Sequence, residues 1–246
     1  MRAVSLLFHD VYASDPAESG FRSPAADRYK LSLPDFEAQL GGLARLRIPA
    51  LVTVDDGGVS SYTVIADRVE ALGLRAHFFV TTDFIDERGF LTAQQMRDLD
   101  ARGHVIGTHS ASHPARFSTL ATPQMQHEWA SSSRRLEDIL GHAVTVGSVP
   151  GGYFSHAVAA AAASVGLTTL FTSEPTTSPL IVGGCRVLGR FTIRRGHPSD
   201  MACRFASTAP WARCGAWVGW NAKALVKPVL GASYSRVADW ILEPNR

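Results

Sequence analysis

The chain has 246 residues, of which 46% are hydrophobic and 19% are charged. Such a chain can bury roughly 70–75% of its unfolded surface, which indicates one large domain and excludes disordered, collagen-like and coiled-coil classes. No apolar run approaches the ~20 residues that a membrane span needs. The N-terminal sequence MRAVSLLFHD lacks the features of a signal peptide, and three late cysteines do not suggest a disulfide framework. We therefore expect a cytoplasmic location.

Strand-like and helix-like segments alternate along the chain. Short apolar runs predict buried strands at Ala3–Phe8, Ala50–Val54, Ala76–Val80, His104–Thr108, Val144–Val149, Thr168–Phe171 and Arg190–Ile193. Helices are predicted to begin at Ser32 and Thr92 and to cover Val59–Leu72, Thr122–Leu140 and Ser155–Val165. This alternation predicts a parallel sheet covered by helices, and six or seven units in under 200 residues favour a small or incomplete (β/α) barrel. Neither nucleotide-binding glycine fingerprint is present.

Reactive side chains follow three of the predicted strands, where barrels of this kind place their chemistry. The first strand ends in His9-Asp10, the second in Asp55-Asp56, and the fourth runs into a segment that carries His109 and His113. Two adjacent carboxylates repel each other unless a cation lies beside them. One Asp and two His form a common open set for a divalent metal, and the second Asp is then available as a base.

Each pattern alone has a simpler interpretation. An isolated Asp-Asp-Gly is usually a turn, and an isolated H-x-x-x-H usually lies on a helix face or in the core. Their occurrence together at strand ends of one α/β pattern favours a functional site.

Two motifs resemble those of the polysaccharide deacetylases, the NodB-homology proteins of carbohydrate esterase family 4. Thr53–Gly57 (TVDDG) resembles the family's T-F-D-D-G motif, and His109–His113 (HSASH) matches its H-[ST]-x-x-H motif. The segments Gly73–Val80, Leu91–Leu99 and Gly103–Ser110 agree as well. The resemblance spans roughly Leu6 to Pro175. It implies a distorted (β/α)7 barrel and metal-dependent removal of acetyl groups from N-acetylated sugars.

The resemblance also implies roles for four residues. By position, Asp55 would be the general base, and Asp56, His109 and His113 would hold one divalent metal. Zinc suits this ligand set best, and cobalt or nickel would also fit it.

The family's third motif, R-x-P-x-G, corresponds here to SVPGG, with Ser148 in place of the Arg that would pair with the base. Without that Arg, Asp55 loses a partner that orients it, so we expect weak activity or a substitute cation. Four residues are expected to contact the substrate or the oxyanion: Pro150, Gly151, Gly152 and Tyr153.

The general acid is the second departure from the family pattern, which has an L-x-H motif near the C-terminus. His197 is the C-terminal candidate, but its sequence, Arg-Gly-His-Pro, reads as a loop. Leu7-Phe8-His9 instead ends the first strand, as in the circularly permuted deacetylases that act on exopolysaccharide. We favour His9 as general acid and keep His197 as the alternative, together with a purely structural role for His9.

The C-terminal part of the chain differs in charge from the rest. Residues 185–246 carry ten Lys/Arg against three Asp/Glu, and residues 1–184 carry fourteen against nineteen. Four of the five tryptophans also lie in this basic part: Trp211, Trp217, Trp220 and Trp240. We expect residues 1–184 to form the deacetylase barrel and residues 185–246 to add its last strand and a helical extension within the same domain. The extension either covers the barrel or contacts an anionic membrane or glycan.

The sequence thus predicts a hydrolase that removes acetyl groups from an N-acetylated oligo- or polysaccharide during surface-polysaccharide assembly, peripheral to the inner face of the membrane. Nucleic acid is not an expected partner. Two alternatives remain at this point: an amidohydrolase acting on a small non-sugar amide, and a catalytically silent carbohydrate-binding protein. The second alternative is motivated by Ser148, which stands where the family's third motif has Arg.

Overall fold

A computed structural model describes residues 4–46, 50–152, 154–207 and 210–230. The strands in these ranges are β1 (Val4–Phe8), β2 (Val11–Tyr12), β3 (Leu31–Ser32), β4 (Ala50–Val54), β5 (Ala76–Val80), β6 (Val105–Thr108), β7 (Val146–Ser148), β8 (Thr169–Phe171), β9 (Leu180–Val182), β10 (Cys185–Leu188) and β11 (Phe191–Thr192). The α-helices are α1 (Pro24–Asp27), α2 (Leu33–Leu46), α3 (Ala66–Glu70), α4 (Ala93–Ala101), α5 (Thr122–Leu140), α6 (His156–Ser164), α7 (Met201–Ala206) and α8 (Pro210–Leu230).

One sheet forms the centre of the fold, with the strand order β11-β1-β4-β5-β6-β7-β8-β10-β9. All neighbouring pairs in it are parallel except β9 and β10. Seven of its nine described strands, all but β9 and β10, were predicted from the sequence as apolar runs, which is the pattern of strands covered on both faces. Since parallel strands end at the same edge, the segments that follow β1, β4, β6 and β7 lie together there.

The sheet curls towards a barrel. Only Gly189 and Arg190 separate β10 from β11, although these strands lie towards opposite ends of the strand order. The three steps from Leu188 to Phe191 span at most about 11 Å, so the two ends of the sheet must approach each other. Across the interior, the rings of Phe79 on β5 and Phe171 on β8 lie 5.3 Å apart. The small, distorted (β/α) barrel expected from the sequence is therefore present as a curled α/β half-barrel, with β10 as an additional parallel strand.

Helix ends follow the expected capping chemistry. The Ser32 hydroxyl accepts from the N–H of Asp35 before α2, and Thr92 and Gln95 form a capping box at α4. Gly141 ends α5 with φ 78°, a left-handed conformation that glycine adopts without penalty. The helix expected over Val59–Leu72 differs, because it opens with a π turn at Ser61–Ile65 before α3 begins.

The C-terminal helices pack on the rest of the fold. Helix α7 contacts α2 and β1, and α8 follows it. A Cβ atom at Gly152 would lie 3.3 Å from the Trp220 ring, so α8 passes beside the segment that follows β7. Among the described helices, none combines the length and apolarity that crossing a membrane requires. Trp240 lies outside the described residues.

Candidate active site

The carboxyl edge of the sheet brings together one carboxylate and two imidazoles. Asp56 follows β4, and His109 and His113 follow β6; their ligand atoms all lie within 4.8 Å of one another. His109 Nε2 is 3.4 Å from Asp56 Oδ1, and His113 Nε2 is 3.6 Å from the same oxygen. The three residues predicted as metal ligands therefore converge on one point.

The ring of His109 is oriented for metal binding. Its Nδ1 lies 2.9 Å from the carbonyl oxygen of Ser148. A carbonyl can only accept, so Nδ1 must carry the proton, and the lone pair of the neutral ring is then on Nε2, on the side of Asp56. A backbone partner of this kind is typical of metal-binding histidines. The donor set and this orientation fit a divalent ion such as zinc.

Electrostatics keep Asp56 ionised. Burial opposes ionisation of the Asp56 carboxyl, but when the surrounding imidazoles are protonated, the hydrogen bond from His109 and the charges of His9 and His113 lower its pKa below the usual range. The pKa of the neighbouring Asp55 is also lowered, because the positive charges of Arg190 and His109 outweigh its burial. Two carboxylates that remain charged in a buried position suit a site for a cation.

Backbone strain is concentrated in the two motifs. Of the non-glycine residues described, four have a positive φ, and three of them lie here: Asp56 at 79°, Ser110 at 66° and His113 at 56°. Each such conformation costs on the order of 1–3 kcal/mol and persists only where the surroundings enforce it. Local hydrogen bonds contribute, because His113 N–H donates to Ser110 Oγ at 3.1 Å.

Arg190 binds the carboxylate of Asp55 through two hydrogen bonds. Its Nη1 donates to Asp55 Oδ1 and its Nη2 to Asp55 Oδ2, both at 2.7 Å. Nη2 also donates to Ser148 Oγ at 2.7 Å, and that hydroxyl donates to Asp55 Oδ2 at 2.9 Å. Nη1 further donates to Thr53 Oγ1 at 3.1 Å, and Nε donates to the carbonyl oxygen of Thr172 at 3.0 Å. The Arg190 side chain is fully buried.

Arg190 was not predicted as a site residue from the sequence. The substitute cation that it allowed for is this arginine, which comes from the start of the last predicted strand, 135 positions after Asp55. The available signal was an arginine beside an apolar strand, where a buried charge needs a partner. Ser148, which stands where the family has Arg, joins the same hydrogen-bond network instead.

The two histidines considered as general acid occupy different surroundings. The ring of His9 lies 5.0 Å from that of Tyr29, and its buried Nδ1 has no hydrogen-bond partner among the described residues. Burial lowers the pKa of His9, opposed by the charges of Asp56 and Asp55. His197 lies elsewhere: its Nε2 accepts from Arg194 Nε at 3.1 Å, and its ring lies 6.5 Å from that of Phe205 on α7. The role of each histidine stays a prediction.

The segment expected to contact the substrate follows β7. Pro150–Gly152 forms a short turn in which Gly151 and Gly152 have φ of 62° and 68°. A Cβ atom at Gly152 would lie 2.9 Å from that of Ser173, so the position requires glycine. Tyr153, the fourth residue of this prediction, lies outside the described residues.

An aromatic group, which the sequence analysis did not predict, lies beside His113. The ring of Phe21 lies 5.0 Å from the His113 ring, 4.9 Å from Phe84 and 5.1 Å from Phe90. The Phe21 ring covers one side of the imidazole with apolar surface, and Phe84 and Phe90 support the Phe21 ring. A ligand ring packed in this way has little rotational freedom.

Fold and site together define a class: a curled α/β sheet with an Asp-His-His set and an arginine-bound carboxylate at its carboxyl edge. The model of the polysaccharide deacetylase family matches residues 47–170, about half of the chain. The chain belongs to this family, whose members are hydrolases acting on the carbon–nitrogen bond of N-acetyl sugars.

Relatives of known name agree with this assignment. YxkH of Bacillus subtilis (strain 168), a protein named for the polysaccharide deacetylase family, is 27% identical over 125 residues. The match covers 51% of this chain and 44% of YxkH, so it spans less than half of the length of that relative.

Solved structures share the fold at low sequence identity. The Streptococcus pyogenes deacetylase PplD, in complex with acetate, has a TM-score of 0.65 at 17% identity, covering 81% of this chain and 95% of PplD. IcaB from Ammonifex degensii has a TM-score of 0.63 at 19% identity, covering 88% of this chain and 96% of IcaB. Identity this low supports the fold alone.

Proposed function

We propose that the protein is a metal-dependent deacetylase of N-acetylated saccharides. The observation that carries this proposal is the arginine-bound Asp55 next to the convergent set of Asp56, His109 and His113. Asp55 is thereby held in position for proton transfer, while Asp56 is available as a metal ligand. The three ligands leave positions open for water and for the acetyl group.

The chain's own residues have distinct tasks in this reaction. A bound divalent ion would supply a Lewis acid that polarises the acetyl carbonyl and activates water. Asp55 takes the proton of the attacking water, and its contacts to Arg190 and Ser148 fix the carboxylate. His9 gives a proton to the departing amine, since expulsion of an amide anion is prohibitively unfavourable.

Arg190 also bears on the alternative of a catalytically silent protein. That alternative was motivated by Ser148 in place of the family's Arg. Arg190 supplies a guanidinium to the same carboxylate from another strand, so the base has its cation. No specific observation favours the small non-sugar amide as substrate.

We further propose that the substrate is a surface polysaccharide or its lipid-linked precursor, reached at the cytoplasmic face of the membrane through α8. Trp211, Trp217 and Val218 on this helix are 60%, 51% and 58% exposed. Arg204 lies 5.5 Å from the centre of the Trp211 ring. Tryptophan beside arginine is typical of surfaces that contact anionic lipid headgroups.

This surface borders the candidate site, because Trp220 of α8 lies against Gly152. We expect the wild-type protein to cosediment with vesicles that contain anionic lipid and not with neutral ones. Trp211→Ser/Val218→Ser should lose this binding while keeping activity on soluble oligosaccharides. Equal sedimentation of the variant, or binding to a soluble anionic glycan instead, would contradict the membrane contact.

The experiment for the deacetylase activity is acetate release from N-acetylglucosamine oligomers by protein stripped of metal and reloaded with zinc, cobalt or nickel. We expect one equivalent of bound metal and activity only in reloaded protein. His113→Ala should lose both. His127→Ala is a matched control, since His127 lies on α5 outside the ligand set and should not affect either quantity. Reloaded protein that releases no acetate from any oligomer would refute the proposed activity.

A further inference from the structure

We propose that Glu128 on α5 is a positioning residue that holds the segment His109–His113 in its metal-binding conformation. This inference rests on the metal site of the proposed function. Glu128 has no role in the motifs, and it contacts neither of the two ligand imidazoles through a described hydrogen bond.

The Glu128 carboxylate receives three hydrogen bonds from this segment. Its Oε2 accepts from the backbone N–H of Ala111 at 3.0 Å and of Ser112 at 2.9 Å. Its Oε1 accepts from the Ser112 hydroxyl at 2.7 Å. Hydrogen bonds to an ionised carboxylate are shorter and stronger than those between neutral groups. Both oxygens of one side chain are thus engaged by two consecutive residues.

The bonded residues lie between the two strained positions of the segment. Ser110 has φ 66° and His113 has φ 56°, both in the left-handed region that non-glycine residues rarely adopt. Ala111 and Ser112 connect them, and their N–H groups are the ones that Glu128 binds. Release of these N–H groups would allow the segment to relax to ordinary backbone angles, which would move His113 relative to His109.

Helix α5 also binds Thr108, the residue that directly precedes the segment. Thr108 Oγ1 donates to Ser132 Oγ at 2.6 Å, and Ser132 lies one turn after Glu128, on the same side of the helix. Trp129 and Leu136 on α5 are fully buried in the core. The segment is therefore bound at two points to a helix that cannot shift without disturbing the core.

The test measures metal affinity on the full chain by competition of zinc with a chelator, and records the visible absorption of the cobalt-loaded protein. Glu128→Ala removes all three hydrogen bonds. Glu128→Gln retains an oxygen for both N–H groups and an amide for the Ser112 hydroxyl. Glu137→Ala is the matched control, because Glu137 lies on the same helix and accepts from the N–H of Val144 at 3.0 Å, away from the site.

We expect Glu128→Ala to weaken zinc binding by about 10- to 100-fold, the usual effect of losing a residue that orients metal ligands. Its cobalt spectrum should change, and Glu128→Gln should remain near wild type in both measurements. Glu137→Ala should lower thermal stability without changing zinc affinity. If Glu128→Ala does not fold, Glu128→Asp replaces it, since the shorter side chain cannot reach both N–H groups.

Two failures are distinguishable. Wild-type protein that takes up no metal would overturn the proposed function and this inference together. The second failure is that the wild-type protein takes up metal, but the Glu128 variant and Glu137→Ala have the same zinc affinity and the same cobalt spectrum. This result would overturn only the positioning role of Glu128.

Discussion

Arg190 and Asp55 form a buried, bidentate ion pair, although they lie 135 positions apart in the sequence. The arginine that binds this carboxylate directly precedes β11, whereas the family's third motif would supply it from the position of Ser148, at the end of β7. Ser148 is small enough to leave room for it and adds a hydroxyl to the network.

Removal of the guanidinium should affect stability and turnover together. We expect Arg190→Met to lower the free energy of unfolding by about 3–5 kcal/mol, because it leaves the buried Asp55 charge without its partner. Turnover should fall strongly while the zinc content is kept. Denaturant unfolding and acetate release measure the two effects. Arg186→Met, an exposed arginine on β10, is the control and should change neither.

Moving the arginine from position 190 to position 148 also tests whether Asp55 requires a guanidinium partner. The double variant Ser148→Arg/Arg190→Ser restores the family's arrangement and should recover part of the turnover that Arg190→Ser alone loses. If the turnover of the double variant does not exceed that of Arg190→Ser, Arg190 stabilises the pairing of β1 with β11 and does not act by orienting Asp55.

Asp55→Asn should keep the metal and lose most turnover. An amide cannot accept the proton of the attacking water, and loss of a positioned base typically lowers the rate by on the order of 10²- to 10⁴-fold. Metal content and acetate release are measured on the same preparation, with Asp83→Asn, an exposed carboxylate, as control. Unchanged turnover would remove Asp55 from the mechanism.

The two candidate acids can be separated by alanine variants. His9→Ala should abolish turnover while metal is retained, because His9 lies at the end of β1 among the charges that act on Asp55 and Asp56. His197→Ala should be nearly silent, since His197 contacts Arg194 and Phe205. The reverse pattern of rates would assign the acid to the C-terminal loop.

Glu70 should contribute to stability in a pH-dependent way. Its carboxylate accepts from Arg102 at 2.9 and 3.0 Å and lies 2.8 Å from His104 Nε2. These contacts, the Arg102 hydrogen bonds above all, lower the pKa of Glu70 from 4.5 to about 2.

Because the pKa is lower in the folded chain, the contribution of Glu70 is complete above its unfolded value of 4.5 and is lost as the pH falls towards 2. Urea unfolding of wild type and Glu70→Gln should therefore differ at pH 7, and the difference should shrink below pH 4.5 and vanish only as the pH reaches about 2. If the difference in free energy of unfolding between the two proteins does not depend on pH, the packing of the Glu70 side chain, and not its charge, accounts for its effect.

Elements with local determinants could be predicted from the sequence. Strands β4 and β5 begin and end at the predicted residues, because continuous apolar runs bounded by polar residues identify buried strands. Asp56, His109 and His113 were found together because both motifs lie at ends of parallel strands. Strands β2 and β3 were missed, since strands of two residues have no measurable period.

Other misses have different causes. The hairpin of β9 and β10 carried a usable signal, two apolar runs on either side of Gly183-Gly184, which the analysis did not use. Glu128 carried no local signal, and the signal at Arg190, an arginine beside an apolar strand, did not identify its partner. Their partners are defined by the tertiary fold, and no spacing pattern connects them to the motifs.

The adjacency of β1 and β11 also orders events during synthesis of the chain. Both motifs leave the ribosome well before Arg190, at elongation rates of about 5–20 residues per second. A nascent chain that ends before Arg190 therefore has no guanidinium for Asp55 and no strand β11 beside β1. It follows that the buried charge of Asp55 gains its partner, and the edge of β1 its neighbour, only in the last quarter of synthesis.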